Sequence, residues 1–220
     1  MDIQPWVARD DTASVSEVVA ETSPVTAREA GLPVWSELEA RVARCTQCSL
    51  HETRTQTVFG AGNRQADWLL VGEAPGADED RQGEPFVGRA GLLLNEMLRA
   101  AGYHRKEVYI ANILKCRPPG NRNPRPDEIR CCHGHLQQQI DLLQPRLMLA
   151  LGGIAAHNLL GTDTPVGKLR GTLHHYGDSR IPLVVTYHPA YLLRSPLEKR
   201  KVWADLQFAG QVFRSMGQEL

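Results

Sequence analysis

The sequence predicts an α/β fold: a single domain in three α/β/α layers around a central four-stranded parallel sheet. Two observations predict it. Four short apolar runs, Asp67 to Val71, Glu107 to Leu114, Arg146 to Leu151 and Leu183 to Tyr187, have strand length and β-branched or aromatic content. A helix-patterned stretch follows each, and that alternation gives a parallel sheet with helices on both faces. The 220 residues, 42% of them hydrophobic, are enough for one core without staples.

Residues 1 to 32 are polar and lack apolar periodicity. Residues 1–30 hold six acids and two bases, so the rest carries a net +4 in a chain of formal charge +0. They read as a flexible acidic tail, solvated or serving as a docking peptide for a protein partner. The folded domain spans 33 to 220. Val34, Leu38 and Val42 fall at helical spacing, so Ser36 to Arg44 is a helix running into Cys45. Ser49 to Gly62 is loop, with an extended piece at Gln56 to Phe59. After the first strand comes a long loop, Gly72 to Gly91, whose acidic run is Asp78, Glu79 and Asp80. A helix follows from Ala90 to Ala101, stopped by Gly102.

The second strand runs into a Pro/Gly-rich loop at 115–124. Pro126 then opens a helix, with Asp127 and Glu128 beside its positive end, and Pro145 ends it. The third strand leads through Gly152-Gly153 to a helix at Ile154 to Leu160. Thr164 to Tyr176 is irregular or a hairpin. The fourth strand ends in His188-Pro189, and a last helix covers Pro196 to Phe213. No window of about 18 apolar residues marks a membrane span. No basic segment with an apolar stretch marks a signal peptide, so a reducing, cytoplasmic setting is expected.

In that setting the five cysteines are metal ligands or core residues. Cys45 and Cys48 form a C-x2-C pair, Cys116 lies 68 positions later, and Cys132 a further 16. Four thiolates are a full set for zinc or an iron–sulfur cluster. A zinc ribbon repeats its C-x2-C. Here the second half is one cysteine in a loop and one on the next helix, which fits a cluster better. Cys131 and Cys132 are adjacent, so one of them is surplus.

Three strand ends carry distinctive groups: Gly72-Glu73-Ala74-Pro75-Gly76, Asn112 with Lys115 to Pro124, and His188 to Arg194. All lie at the carboxyl edge of a parallel sheet, where ligands bind. With GEPFVGRAG and the four cysteines, this set resembles the family 4 (iron–sulfur) uracil-DNA glycosylases, over Cys45 to about Phe208. The resemblance implies a uracil-DNA glycosylase domain at 33–220 and a [4Fe–4S] cluster on Cys45, Cys48, Cys116 and Cys132, with a structural role. It implies a DNA repair enzyme that acts on uracil in single- or double-stranded DNA and leaves an abasic site. A monomer without membrane contact is expected.

The groups suit that chemistry. A flipped uracil needs a stacking face, here Phe86, and a reader for its O4 and N3–H edge, here the Asn112 amide with one donor and one acceptor. Cytosine reverses both signs. Backbone at Gly72, Glu73 and Ala74 holds the base edge, and His188 donates to O2 as negative charge grows there. His188 and Glu73 are the catalytic candidates; Glu73 orients water or stabilises the cationic sugar, with Asp78, Glu79 and Asp80 as alternative carboxylates. Arg117, Arg122, Arg125 and Arg194 meet phosphates, and Leu192 or Leu193 wedges into the gap. No lysine sits where a Schiff base is implied, so a monofunctional glycosylase is expected. The rival readings are a uracil-DNA binder or a polymerase-associated iron–sulfur module, both without turnover.

Overall fold

The computed structural model describes residues 34–217. The tail expected at 1–32 lies outside the described residues. The helix α1 (Trp35–Ala43) comes first, followed by a 3-10 turn at Ser49–Glu52 and a two-residue strand β1 (Ala61–Gly62). The first predicted strand is β2 (Trp68–Gly72), buried at every position. Its side chains alternate between two cores. Leu69 and Val71 join one cluster, and Trp68 and Leu70 the other. A strand with no solvent face needs helices on both sides, and it has them.

The helix α3 (Arg89–Ala100) covers one face with Leu94, Met97 and Leu98. The strand β3 (Tyr109–Asn112) lies beside β2. The helix α4 (Pro126–Leu143) then crosses to the opposite face with Leu136, Ile140 and Leu143. The strand β4 (Leu147–Leu151) follows, and α5 (Gly153–Leu160) packs Ala155, Ala156 and Leu159 on that same face. A short α6 (Val166–Leu169), β5 (Leu173–Tyr176) and β6 (Ile181–Thr186) lead to α7 (Pro189–Arg194). Finally α8 (Lys199–Ser215) lays Val202, Leu206 and Ala209 on the α3 face. Each buried leucine or valine stabilises by roughly 1.5–3 kcal/mol, so both helical layers are firmly held.

The sheet order is β1-β3-β2-β4-β6-β5. The four predicted strands lie parallel at its centre. The sheet has six strands, however, not four: β1 and β5 add antiparallel edges. The expected hairpin region supplies β5, which pairs back on β6. From β2 the chain moves to β3 on one side, and β4 then lies on the other side of β2. That reversal opens a crevice at the carboxyl ends of the strands, and the helix layers keep it accessible.

Two further expectations, the long loop after the first strand and the start of the last helix, are corrected. The loop after β2 contains a helix, α2 (Ala77–Gln82), formed because Glu79 Oε2 accepts the Gly76 N–H at the helix start (3.1 Å). The segment after His188 is also helical, with Pro189 at its first position. The last helix starts at Lys199 after a 3-10 turn at Pro196–Glu198.

Candidate active site

At the end of β2, Gly72 faces its register partner Asn112, the last residue of β3. A Cβ built on Gly72 would lie 2.4 Å from Asn112 Oδ1 and 2.6 Å from the Phe86 ring. Only a glycine lets the amide and the ring come this close. The pairing continues past the strand, with Ile113 and Leu114 N–H groups donating to the Gly72 and Glu73 carbonyls (3.0 and 3.1 Å). Glu73 projects into the cleft beyond, and burial pushes its carboxyl up from the ordinary 4.5.

The acidic run has a different use. Glu79 Oε1 accepts the N–H groups of Val87 and Gly88 (2.9 and 3.0 Å) while Oε2 holds Gly76. Asp80, 3% exposed, takes the Thr55 N–H and hydroxyl (2.9 and 2.7 Å). Asp78 pairs with Arg81. These carboxylates tie the Gly72 to Gly91 segment to itself and to the 55–56 loop.

Phe86 is 7% exposed and sits at φ 54°, a left-handed conformation that costs a bulky residue energy. Arg105 holds it there. Its guanidinium donates to the Pro85 and Phe86 carbonyls and to Asn95 Oδ1. A Cβ on Gly91 would lie 1.8 Å from the Phe86 carbonyl oxygen, so the first turn of α3 needs a glycine there. The Phe86 ring lies 5.5 Å from the His188 ring, tilted by 31°.

Asn112 is 2% exposed, and its Oδ1 is buried without a hydrogen-bond partner among the described residues. Such an acceptor costs about 1–3 kcal/mol unless something supplies a donor. It borders an open cleft of about 470 Å³, also lined by Glu73, Ala74, Phe86, His188 and Arg194.

His188 caps α7. Its Nδ1 accepts the Ala190 N–H at 3.1 Å. A backbone N–H only donates, so Nδ1 carries no proton and Nε2 carries the ring's one N–H. Burial, aided by the charge of Arg194, pulls the imidazole down from 6.5 to about 4, so it is neutral at physiological pH. Gly152, at φ 93°, makes room: a Cβ there would lie 2.9 Å from the His188 Cβ. The end of β6 is anchored by Thr186, whose hydroxyl donates to buried Asp205 (2.7 Å), itself gripped by Arg170.

Around the cleft, Arg194 and Arg125 are exposed, and Arg117 is half-buried with its Nε on Asn121. Arg122 lines the cleft, but both of its terminal nitrogens bond Glu128, which is 0% exposed. Its charge is thus already neutralised, which corrects the expectation of a free phosphate contact. Leu193 is 38% exposed, whereas Leu192 is 1% exposed and packs in the core under α7. Leu192 is therefore corrected to a packing residue. Among the described residues no lysine lines the cleft.

Behind β3, Cys45, Cys48, Cys116, Cys131 and Cys132 line one small cavity of about 10 Å³. Arg54 donates to Cys116 Sγ (3.0 Å), the Lys115 N–H points at Cys132 Sγ (3.3 Å), and His135 Nε2 lies 3.3 Å from Cys45 Sγ. Burial pushes the thiols of Cys48, Cys116 and Cys132 up, the last to about 11. Among the described residues no three candidate ligands stand close enough to grip a single metal ion. The chemistry of the donors, soft sulfur with hydrogen-bond donors around it, is of the kind an iron–sulfur centre takes.

Sequence reasoning missed Arg105, Gly152, Arg54 and Lys115. Gly152 left a trace in the Gly152-Gly153 pair after a strand. The others are basic residues in loops, whose burial no spacing reveals.

The family model for the uracil DNA glycosylase superfamily matches residues 59–207. The type-4 uracil-DNA glycosylase of Archaeoglobus fulgidus is 38% identical over 182 residues, which is 80% of this chain and 92% of that protein. That of Thermotoga maritima is 41% identical over 181 residues, 80% and 93% of the two chains. The chain belongs to the type-4 family of this superfamily. A type-5 uracil-DNA glycosylase of Thermus thermophilus is 37% identical over a shorter stretch, 60% of this chain and 68% of its own. The superfamily match takes in Glu73, Phe86, Asn112 and His188, together with Cys116 and Cys132, while Cys45 and Cys48 precede it.

Proposed function

We propose that this protein excises uracil from DNA by hydrolysing the N-glycosidic bond, leaving an abasic site, as a monofunctional base-excision repair glycosylase of the cytoplasm. The observation that carries the reading is the unpartnered Oδ1 of Asn112, buried at the floor of a cleft between Phe86 and His188. Uracil flipped from the stack supplies the missing donor, its N3–H, while the amide's N–H meets O4. Cytosine presents an acceptor and a donor in the opposite order, so it leaves the buried Oδ1 unpaired and faces the amide N–H with a donor. A site built this way rejects the wrong edge strongly.

Phe86 gives the base a face to stack on. As the C1′–N1 bond breaks, negative charge grows on the uracil oxygens. His188, neutral with its proton on Nε2, donates to O2, and because it is already oriented by Ala190 it needs no reorganisation. Glu73 supplies the carboxylate that the cationic sugar and the incoming water both require. Leu193 fills the gap in the stack, and Arg194, Arg125 and Arg117 meet phosphates.

Cys45, Cys48, Cys116 and Cys132 would hold a [4Fe–4S] cluster, which supplies a structural tie between the α1 end, the loop at 116–125 and α4. Cys132 is chosen over Cys131 because it is buried and its sulfur receives the Lys115 N–H.

The test is uracil release from single-stranded, U·G and U·A oligonucleotides, with iron quantified in the same sample. His188→Ala or Glu73→Ala should lower the single-turnover rate by about 10²–10³-fold with iron retained. Cleavage by both variants at the wild-type rate would discard the site assignment.

A further inference from the structure

Lys115 is 1% exposed and lies between the two centres described above, lining the cysteine cavity. Its ammonium donates to the Asn112 carbonyl (2.9 Å) and to Gln139 Oε1 (2.5 Å). Its own N–H points at Cys132 Sγ (3.3 Å). Gln139, 0% exposed, is fixed by donating to the Phe59 carbonyl (2.9 Å) and the Tyr109 hydroxyl (3.2 Å). It lies on α4, the helix that carries Cys132. The contacts therefore close a ring: Asn112 to Lys115, Lys115 to Gln139, and along α4 to Cys132 and back to the Lys115 backbone.

Among the described ion pairs no carboxylate meets this ammonium. A buried cation without a counter-charge is strongly disfavoured. The candidate counter-charge is the sulfur set itself, since four thiolates around iron carry net negative charge. Outer groups of this kind orient ligands and stabilise a metal centre.

We propose that Lys115 is a positioning residue that joins the four-cysteine centre to the uracil-reading Asn112, offsetting the charge of the first and fixing the strand end that presents the second. This rests on the functional reading above. The cluster is then more than a remote staple: what holds it also sets the edge that reads the base.

The experiment compares purified wild type, Lys115→Met and Lys115→Arg, each reconstituted with iron and sulfide. Two quantities are read: the rate at which a chelator strips iron, and single-turnover uracil release by the iron-replete fraction. Lys115→Met should lose iron at least about tenfold faster and release uracil at least about tenfold more slowly. Lys115→Arg keeps the charge but not the compact geometry, so it should hold iron as wild type does and still release uracil slowly. Lys115→Met with wild-type values for either quantity overturns the proposal, as does Lys115→Arg losing iron as fast as Lys115→Met. If Lys115→Met does not fold, Lys115→Arg decides through its two readouts. A wild-type protein that releases no uracil removes the functional reading instead, and the iron arm still judges the charge role.

Discussion

Replacing Gly72 with alanine adds one carbon at the most crowded point of the site. That carbon would lie 2.6 and 2.7 Å from two Phe86 ring atoms and 2.4 Å from Asn112 Oδ1. Carbon atoms pack best at about 3.5–4.0 Å, so the ring must retreat by roughly 1 Å, and the amide by a similar amount. Neither yields easily. The Phe86 backbone is held in its left-handed conformation by Arg105 and by the start of α3. Asn112 is held by strand pairing and by Lys115. Overpacking of this kind costs about 1–3 kcal/mol of stability. A displacement of about 1 Å in a reacting geometry costs on the order of 10²-fold in rate. Gly72→Ala should therefore lower single-turnover uracil release by about a hundredfold, which is about 2.7 kcal/mol of barrier. DNA affinity, measured by fluorescence anisotropy on an undamaged duplex, should change little because phosphate contacts lie elsewhere. A Gly72→Ala protein with wild-type release rates would show that the amide and ring need not meet as described, and the base-reading argument would fail with it.

Four other outcomes follow from the site. The acid limb of the single-turnover pH profile should reflect Glu73, above the ordinary 4.5, and should vanish in Glu73→Gln; no inflection should appear near 6.5, because His188 stays neutral down to about 4. For the same reason stability should fall as pH drops from 6.5 toward 4: there the unfolded chain binds a proton on this histidine and the native state does not, which urea titrations at several pH values can check. Cys132→Ser should lose iron while Cys131→Ser keeps it, by elemental analysis. Leu192→Ala should cost about 2–5 kcal/mol in urea unfolding. Leu193→Ala should stay within about 0.5 kcal/mol, yet slow uracil release from duplex more than from single strands.

Much of this architecture was legible in the sequence because it follows from patterning. Val71, Ala111 and Val185 sit in unbroken apolar runs, and each run ends where the chain must turn, so the strand ends and their polar groups could be placed together. The elements that escaped have no such pattern. Six residues, Ala77 to Gln82, with three consecutive acids, hold no apolar stripe; they are helical because Glu79 reaches back to Gly76 and forward to Val87 and Gly88. The helix at Pro189–Arg194 buries only Pro189 and Leu192, too few to set a period. The two residues of β1, Ala61 and Gly62, pair with β3 directly after Gly60, and the φ values of 148° and 120° at the two glycines are not announced by a sequence pattern. At the site, Phe86 and Asn112 were found by chemistry, but the groups that fix them were not. Arg105 and Lys115 are basic residues in polar loops, and composition places such residues at the surface.

The same distinction supports one acid for the proposed reaction. Four carboxylates follow β2 within eight residues: Glu73, Asp78, Glu79 and Asp80. Three have fixed partners in the structure. Glu79 holds three backbone N–H groups, Asp80 holds Thr55, and Asp78 faces Arg81. A carboxylate whose lone pairs are committed to the scaffold cannot take a new partner without releasing an old one. Glu73 faces the cleft, and no hydrogen bond to its side chain is found among the described residues, while burial raises its carboxyl. Such a group is poorly stabilised as an anion in the resting enzyme. It gains when a positive charge or a water proton arrives, and glycosidic cleavage supplies both. The differential between the two states is what accelerates a reaction. The acids that are well satisfied build the pocket, and the one that is poorly satisfied is the one we propose works in it.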